Sequence, residues 1–314
     1  MKVSIIIPCF NASLYIQDCI GSVINQTYKN IEIICIDDGS TDNTVKIIND
    51  FIKNSTLDIK LLLQKNNGAP SARNKGIRES IGEYIQFLDA DDILSPDKIE
   101  HQISLVNKTS FPDLIVGSYV RKNMLGVPLF VRKYVPERNM NVWLKLMNTD
   151  LGNTCSNLFK ADLFQKNIAW DEKLESSQEY DLMFKILQID PTIIFDPKNK
   201  TIVRVRNSGS ISQTNIALKW ERYVKLRVDI VSYLECNEPG VITPQFYQSL
   251  FNALRMLYPF NSKVAVDFFK KKIPKNFIPT QSPNISKSYI FVFKILGFKL
   301  TEEIKKATSP SNAS

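Results

Sequence analysis

Short apolar runs alternate with stretches of helical period from the start of the chain. Val3–Pro8 reads as a strand, Ala12–Gln26 as helical, Glu32–Asp37 as a strand and Asp42–Ile52 as helical; Ile59–Gln64, Ala72–Ser80 and Glu83–Leu88 continue as strand, helix and strand. That alternation predicts an α/β fold, a parallel sheet covered by helices. From about Lys219 the rhythm changes to long helical stretches, Trp220–Glu235 and Pro244–Leu257, followed by a basic region punctuated by Pro274, Pro279 and Pro283. A boundary is therefore expected near residue 215, between an α/β domain (1–215) and a smaller, mostly helical region (216–314). Tyr289–Leu300 reads as a terminal helix, with Lys287, Lys294 and Lys305 on one helical azimuth, and Thr308–Ser314 as a frayed tail.

Open sheets of this kind bind ligands beyond the carboxyl ends of their strands. Those positions hold Pro8-Cys9-Phe10-Asn11, Asp37-Asp38-Gly39-Ser40 and Asp89-Ala90-Asp91-Asp92, so two acidic clusters are expected on one sheet edge. Closely spaced carboxylates past a strand end offer hard oxygen ligands suited to Mg²⁺ or Mn²⁺ shared with phosphates. Between the clusters, Asn67–Gly76 opens a helix that brings Arg73 and Lys75, a plausible diphosphate contact. Each segment also has a plain structural reading. Asp89–Asp92 could form a turn and cap the next helix, and Ser40 or Thr41 could cap the helix after Gly39. Arg73 and Lys75 could be a solvated basic face.

Taken together, Val3-Ser4-Ile5-Ile6-Ile7-Pro8, Asp37-Asp38-Gly39-Ser40-Thr41-Asp42, Ala72-Arg73-Asn74-Lys75-Gly76-Ile77 and Asp89-Ala90-Asp91-Asp92 resemble, in order and spacing, the family 2 glycosyltransferases of GT-A fold. The resemblance covers about residues 1–210. It implies an inverting enzyme that uses a nucleotide-diphosphate sugar and a divalent metal, Mg²⁺ or Mn²⁺. By that resemblance Pro8, Phe10, Asn11 and Asp37 fall in the nucleotide site and Asp38 at the base. Asp89 falls at the ribose and beside the metal, Asp91 on the metal, and Arg73 at the base or phosphates. Gln178-Glu179-Tyr180-Asp181-Leu182-Met183 matches a later acidic pair opening a helix, which puts Glu179, in place of the usual Asp, at the catalytic-base position. Ser176-Ser177-Gln178-Glu179 equally fits a capping box, in which Glu179 serves the helix start. Thr154–Phe159 and Trp170-Asp171-Glu172 fall at the acceptor-side wall, where Trp170 could stack on a sugar or simply be core. Arg206 stands where many relatives carry a histidine near the diphosphate; a fixed charge there could neutralise the leaving group, or be a surface arginine.

Composition narrows the alternatives. The chain has 314 residues, 44% of them hydrophobic and 23% charged, enough for a sizeable core. Five cysteines without a CxxC pair and a single histidine, His101, argue against a zinc site; the thiols are expected reduced and mostly buried, and His101 at the surface. No apolar run approaches the roughly 20 residues of a membrane span, so a cytoplasmic location is expected. All of the net charge of +8 lies in residues 216–314, with 15 Lys/Arg against 7 Asp/Glu, which fits either an anionic membrane surface, with lipid-linked acceptors then within reach, or a packed terminal helix with solvated lysines. A saccharide or lipid-linked acceptor is what the family resemblance implies. Nucleic acid is not expected as a partner, since that charge comes with no recognition motif. Neither GxGxxG nor GxxxxGK[ST] occurs, which removes dinucleotide-fold dehydrogenases and P-loop NTPases. A nucleotidyltransferase and a catalytically silent nucleotide-binding relative remain as alternatives, and a role in cell-surface polysaccharide synthesis is a family-level expectation.

Overall fold

In the computed structural model, which describes residues 1–135, 140–166, 168–206 and 216–308, the apolar runs become strands. The strands are β1 (Val3–Cys9), β2 (Ile31–Asp37), β3 (Asp58–Leu63), β4 (Tyr84–Phe87), β5 (Ile93–Leu94), β6 (Leu114–Asn123), β7 (Pro128–Arg132), β8 (Leu158–Lys160) and β9 (Ile193–Val205). The helices alternating with them are α1 (Ile16–Ile24), α2 (Thr44–Asn54), α3 (Ala69–Glu79) and α4 (Lys98–Lys108), then α5 (Val142–Met147), α6 (Asp162–Gln165) and α7 (Gln178–Leu187). The chain ends in α8 (Ile216–Asn237), α9 (Pro244–Leu257), α10 (Ser262–Lys272) and α11 (Lys287–Thr308).

The nine strands make one mixed sheet in the order β3-β2-β1-β4-β8-β6-β9-β5, with β7 on β6. β3, β2, β1 and β4 are mutually parallel, β8 is antiparallel to both neighbours, and β9 runs parallel to β6. Every residue of β2 is buried, and so is β1 except Pro8, as strands covered on both faces require. Cys9 lies opposite Asp37, so Phe10-Asn11 and Asp38 leave the sheet side by side. Gly76 lets α3 press onto this sheet, since a Cβ there would come within 2.4 Å of Ile6 and 2.9 Å of Ile36.

Two expected helices have different starts. α1 begins at Ile16, four residues past Ala12, because Asn11 takes a left-handed φ of 46° and the following backbone N–H groups are already used. Ala12 N donates to Thr44 Oγ1 at 2.8 Å and Ser13 N to Asp42 Oδ2 at 3.0 Å. α3 begins earlier than expected, at Ala69, where Gly68 (φ 86°) turns the chain and Pro70 fits a first helical turn.

His101 is not a surface residue. Its side chain is 16% exposed and Nε2 lies 3.0 Å from Oδ1 of the buried Asp196, because α4 packs against β9. Cys9, Cys19, Cys35 and Cys155 are buried, and Cys236 is exposed.

The chain divides into two compact units, Met1–Met140 with Leu151–Ile211, and Asn141–Asp150 with Ser212–Ser314. The expected boundary at 215 and nearly all of the expected tail lie outside the described residues. The second unit is helical, with Phe251 ringed by Phe269, Phe277, Tyr289, Phe293 and Phe298 at centroid distances of 5.3–6.3 Å. Within it Arg255 Nε meets Glu302 Oε1 at 2.7 Å, and the Tyr289 hydroxyl donates to the same oxygen at 2.6 Å. Burial, reinforced by Glu302, pushes the Tyr289 phenol up. The shared azimuth of Lys287, Lys294 and Lys305 does not survive, because Gly297 (φ 72°, ψ −179°) breaks α11 between the second and third lysines. Among the described residues, no helix is long and apolar enough to cross a membrane.

Candidate functional site

Beyond β4 the chain makes a tight turn, with Asp92 N donating to Asp89 O at 2.9 Å, and then enters β5. The turn displays three carboxylates, each held differently. Asp89, 38% exposed, accepts from Arg73 Nη2 at 2.7 Å. Asp91 Oδ2 lies 2.6 Å from Arg206 Nε, whose guanidinium carbon is 5.2 Å from the centre of the Tyr15 ring. Asp92 is fully buried and accepts from Arg204 N at 2.8 Å, while the Arg204 side chain donates to Asp91 O and to Asp18. Burial pushes the Asp91 and Asp92 carboxyls up, and the Asp89 charge adds to both shifts. Ligand atoms of Asp89, Asp92 and Cys155 lie within 4.8 Å of one another, and Cys155 Sγ accepts from Asp89 N at 3.2 Å.

Concentrated negative charge of this kind, partly relieved by two arginines, suits a divalent cation with oxygen ligands. The sequence pattern pointed to Asp89 and Asp91; among the described residues the group whose ligand atoms come together is Asp89, Asp92 and Cys155, while the Asp91 carboxylate is turned to Arg206. Asp92 was visible as the fourth residue of the same tetrad. Cys155 carried no signal, because β8 brings its neighbourhood to β4 from more than 60 residues away.

A second group sits at the ends of β1 and β2. Asp38 is buried and spends its carboxylate on the next loop, accepting from Gln64 Nε2, Asn67 N and Gly68 N at 2.8 Å each. Asp37 Oδ2 accepts from Ser40 N at 3.0 Å, and its buried Oδ1 has no protein partner. Asn11 bridges the two strand exits, with its N–H on Ser40 Oγ and its Oδ1 accepting from Thr41 N, both at 2.9 Å. Phe10 is 49% exposed beside it and Pro8 is half-buried. Ser40 and Thr41 thus face Asn11 and do not cap α2. That start is organised by Asp42, which accepts from Thr44 N and Oγ1; burial would raise this carboxyl, yet the hydrogen bonds from Thr44 and Ser13 bring it to about 2.

On the other side, α7 begins after Ser177, whose left-handed φ of 59° leaves no side-chain cap. The capping-box reading therefore fails: Glu179 Oε2 accepts instead from Thr154 Oγ1 at 2.9 Å and Thr154 N at 3.3 Å. Glu179 lines a cavity with Thr154, Asn157, Trp170, Tyr180 and Met183. Trp170 is a core residue, 3% exposed, edge-on to Phe87 at 5.2 Å, with the Arg73 guanidinium 4.6 Å above its ring. An exposed sugar platform is thereby ruled out. Asn74 clamps this wall, its Nδ2 donating to Trp170 O and Glu172 Oε1 at 2.9 Å while its Oδ1 accepts from Trp170 N at 3.0 Å.

Arg73 joins the two sides. Besides Asp89 and Trp170 it reaches Gln178 Oε1 at 3.3 Å, the residue next to Glu179. Its burial at 6% exposure excludes the solvated-face reading of α3.

Strand exits carrying paired aspartates, an arginine-bearing helix and an acidic helix start are the features by which the sequence resembles the family 2 glycosyltransferases. The chain belongs to glycosyl transferase family 2, whose model matches residues 4–170. It is similar to an uncharacterized glycosyltransferase of Rickettsia conorii, 38% identical over 200 residues that make up 62% of this chain and 32% of the relative. The chain thus spans about a third of that protein's length. Its fold is that of Staphylococcus aureus TarS 1–349 in complex with UDP-GlcNAc, with a TM-score of 0.67 at 18% identity, covering 98% of this chain and 92% of the other. A mannosyltransferase of Pyrobaculum calidifontis, in complex with GDP-Man and Mn²⁺, superposes with a TM-score of 0.56 at 15% identity, covering 98% and 88%.

Proposed function

We propose that the chain is an inverting glycosyltransferase, moving a sugar from a nucleotide-diphosphate donor to a hydroxyl of a saccharide or lipid-linked acceptor. The observation that carries this reading is the reach of Arg73, 2.7 Å from Asp89 on the acidic turn and 3.3 Å from Gln178 beside Glu179. A donor-side charge cluster and an acceptor-side carboxylate are thereby fixed in one frame, as a direct displacement at the anomeric carbon requires.

Glu179 is the base. Its Oε2 is anchored on Thr154, which leaves Oε1 to take the proton from the attacking hydroxyl. The open ends of β1 and β2 receive the nucleotide, with Phe10 and Asn11 at its rim and Asp37 and Asp38 shaping the floor. Mg²⁺ or Mn²⁺ would be held by Asp91 and Asp89, and when bound it supplies positive charge that lowers the cost of the departing diphosphate. Arg206, already at Asp91, adds a fixed charge on the same side. One displacement inverts the anomeric configuration. The neighbours' UDP-GlcNAc and GDP-Man support a nucleotide-sugar donor, and the Mn²⁺ of the mannosyltransferase supports a divalent cation. Peripheral attachment to an anionic leaflet through residues 216–314 belongs to the same proposal, supported by the exposure of Phe291, Ile295 and Leu300 on α11.

Calorimetric titration with UDP, GDP, CDP and dTDP, with and without Mn²⁺, tests it. One nucleotide is expected to bind in a Mn²⁺-dependent manner, and to lose that dependence in Asp91→Asn. Absence of binding to all four, or binding indifferent to metal, overturns the donor and metal assignments.

A further inference from the structure

In the first unit, β6 buries Leu114, Ile115, Val116 and Tyr119, but its far end and β7 project from the core. Residues 124–133 are exposed without interruption, including every position of β7. Yet the run is largely hydrophobic: Leu125 is 88% exposed, and Val127, Leu129, Phe130 and Val131 are 43–54% exposed. A strand normally hides alternate residues; here the Leu129 and Val131 side is open, and on the other side Phe130 packs on Tyr119 (6.3 Å) and under the Arg121 guanidinium (5.2 Å) and stays 43% exposed. Residues 121–135 also contain Arg121, Lys122, Arg132 and Lys133 and no carboxylate.

We infer that this hairpin is an attachment element for an anionic lipid surface. The Leu125-Gly126-Val127 tip enters the headgroup region, and the flanking cations meet lipid phosphates. A fluid surface can receive the projecting tip together with the open Leu129 and Val131 side. The cations are set back from the apolar tip, where lipid charge would lie, and β7's free backbone groups remain within reach of interfacial water. Gly126 (φ 81°) turns the tip with open space around it, so the tip residues carry no packing duty. The inference is independent of the catalytic reading and of the C-terminal region.

The test is flotation of the 314-residue chain with vesicles of phosphatidylcholine alone or with 30 mol% phosphatidylglycerol. Wild type is expected to float with the anionic vesicles. Leu125→Asp/Val127→Asp should lose at least 10-fold in partitioning. Lys122→Gln/Lys133→Gln should lose about 25-fold on anionic vesicles only, from a gain of about fivefold per cation. Both variants should retain wild-type circular dichroism and nucleotide binding, since no substituted residue lies in the proposed site. Unchanged flotation of both variants, with loss only in Phe291→Asp/Ile295→Asp, would move attachment to α11 and overturn the inference. Failure of wild type to float would overturn it too, as would a concentration-dependent dimer abolished by Leu125→Asp/Val127→Asp, which would make the hairpin a contact between copies.

Discussion

Replacing Arg206 by Met should change two affinities in opposite directions. In the structure Arg206 Nε sits 2.6 Å from Asp91 Oδ2, with side-chain exposures of 32% and 16%. A hydrogen bond between charged partners contributes about 1.5–3 kcal/mol net, and the arginine's partial exposure puts this pair at the lower end. A cation that takes Asp91 must first displace the guanidinium. Without nucleotide, Arg206→Met should therefore bind Mn²⁺ about 10-fold more tightly, the equivalent of ~1.4 kcal/mol. With nucleotide present, the displaced guanidinium is available to the diphosphate, and its loss should weaken Mn²⁺–nucleotide binding by about 10- to 100-fold. Removing Arg206 also lifts a restraint on the Asp91 carboxyl, which burial and Asp89 already push up. All titrations belong at one fixed pH, so that proton competition for this carboxyl does not differ between runs of the same variant. Mn²⁺ binding followed by paramagnetic resonance, with and without the nucleotide selected by calorimetry, reads both quantities. Arg206→Lys should fall between the two, since it keeps charge but loses the planar fork. If both affinities move the same way, or neither moves, Arg206 is not exchanged between Asp91 and the diphosphate.

The other predictions concern the base and a buried lysine. Glu179→Gln should lower turnover by about 10²–10⁴-fold while leaving nucleotide affinity within twofold, and Thr154→Val, which removes the 2.9 Å hydroxyl contact, should lower kcat by a smaller factor; equal loss of nucleotide binding would mark both as structural. Lys98 is buried, donates to Gln86, and is brought by desolvation from 10.5 to about 7. The unfolded chain therefore holds this proton over a range where the folded one does not, so stability rises with pH between 7 and 10.5. Denaturant unfolding at pH 7.0 and 8.5 should show a gain of about 1.6 kcal/mol in wild type over Lys98→Met, below the range where unfolded thiols ionise fully; a pH-independent difference would refute it.

Where function follows a strand end, the sequence was legible. β2 ends on Asp37, the first residue of its acidic run, and β4 at Phe87, with Leu88 alone before Asp89, because the apolar run that makes the strand also fixes where it stops. What escaped was set by distant pairing. Ser176–Glu179 has the pattern of a capping box, but the capping geometry gave way to a hydrogen bond with Thr154, 25 residues away. Trp170 was open between core and sugar platform until Asn74 and Arg73 were seen to pin it, across 96 residues in the case of Asn74. His101 looked superficial because Asp196, its partner, follows it by 95 residues. Lys287 and Lys305 shared an azimuth only on an unbroken helix, and a glycine in a left-handed conformation ended it.

β5 has its sheet partner in β9 alone, and Asp92 takes its backbone donor from Arg204, 112 residues downstream. On a ribosome adding roughly 5–20 residues per second, the parallel strands β1 to β4 emerge together and can pair early. The acidic turn must wait several seconds more for the strand that closes its flank. During that interval the nascent chain carries clustered carboxylates without Arg204 and Arg206. The turn's charge is therefore balanced late, only when the final strand of the sheet delivers Arg204 and Arg206 to Asp92 and Asp91.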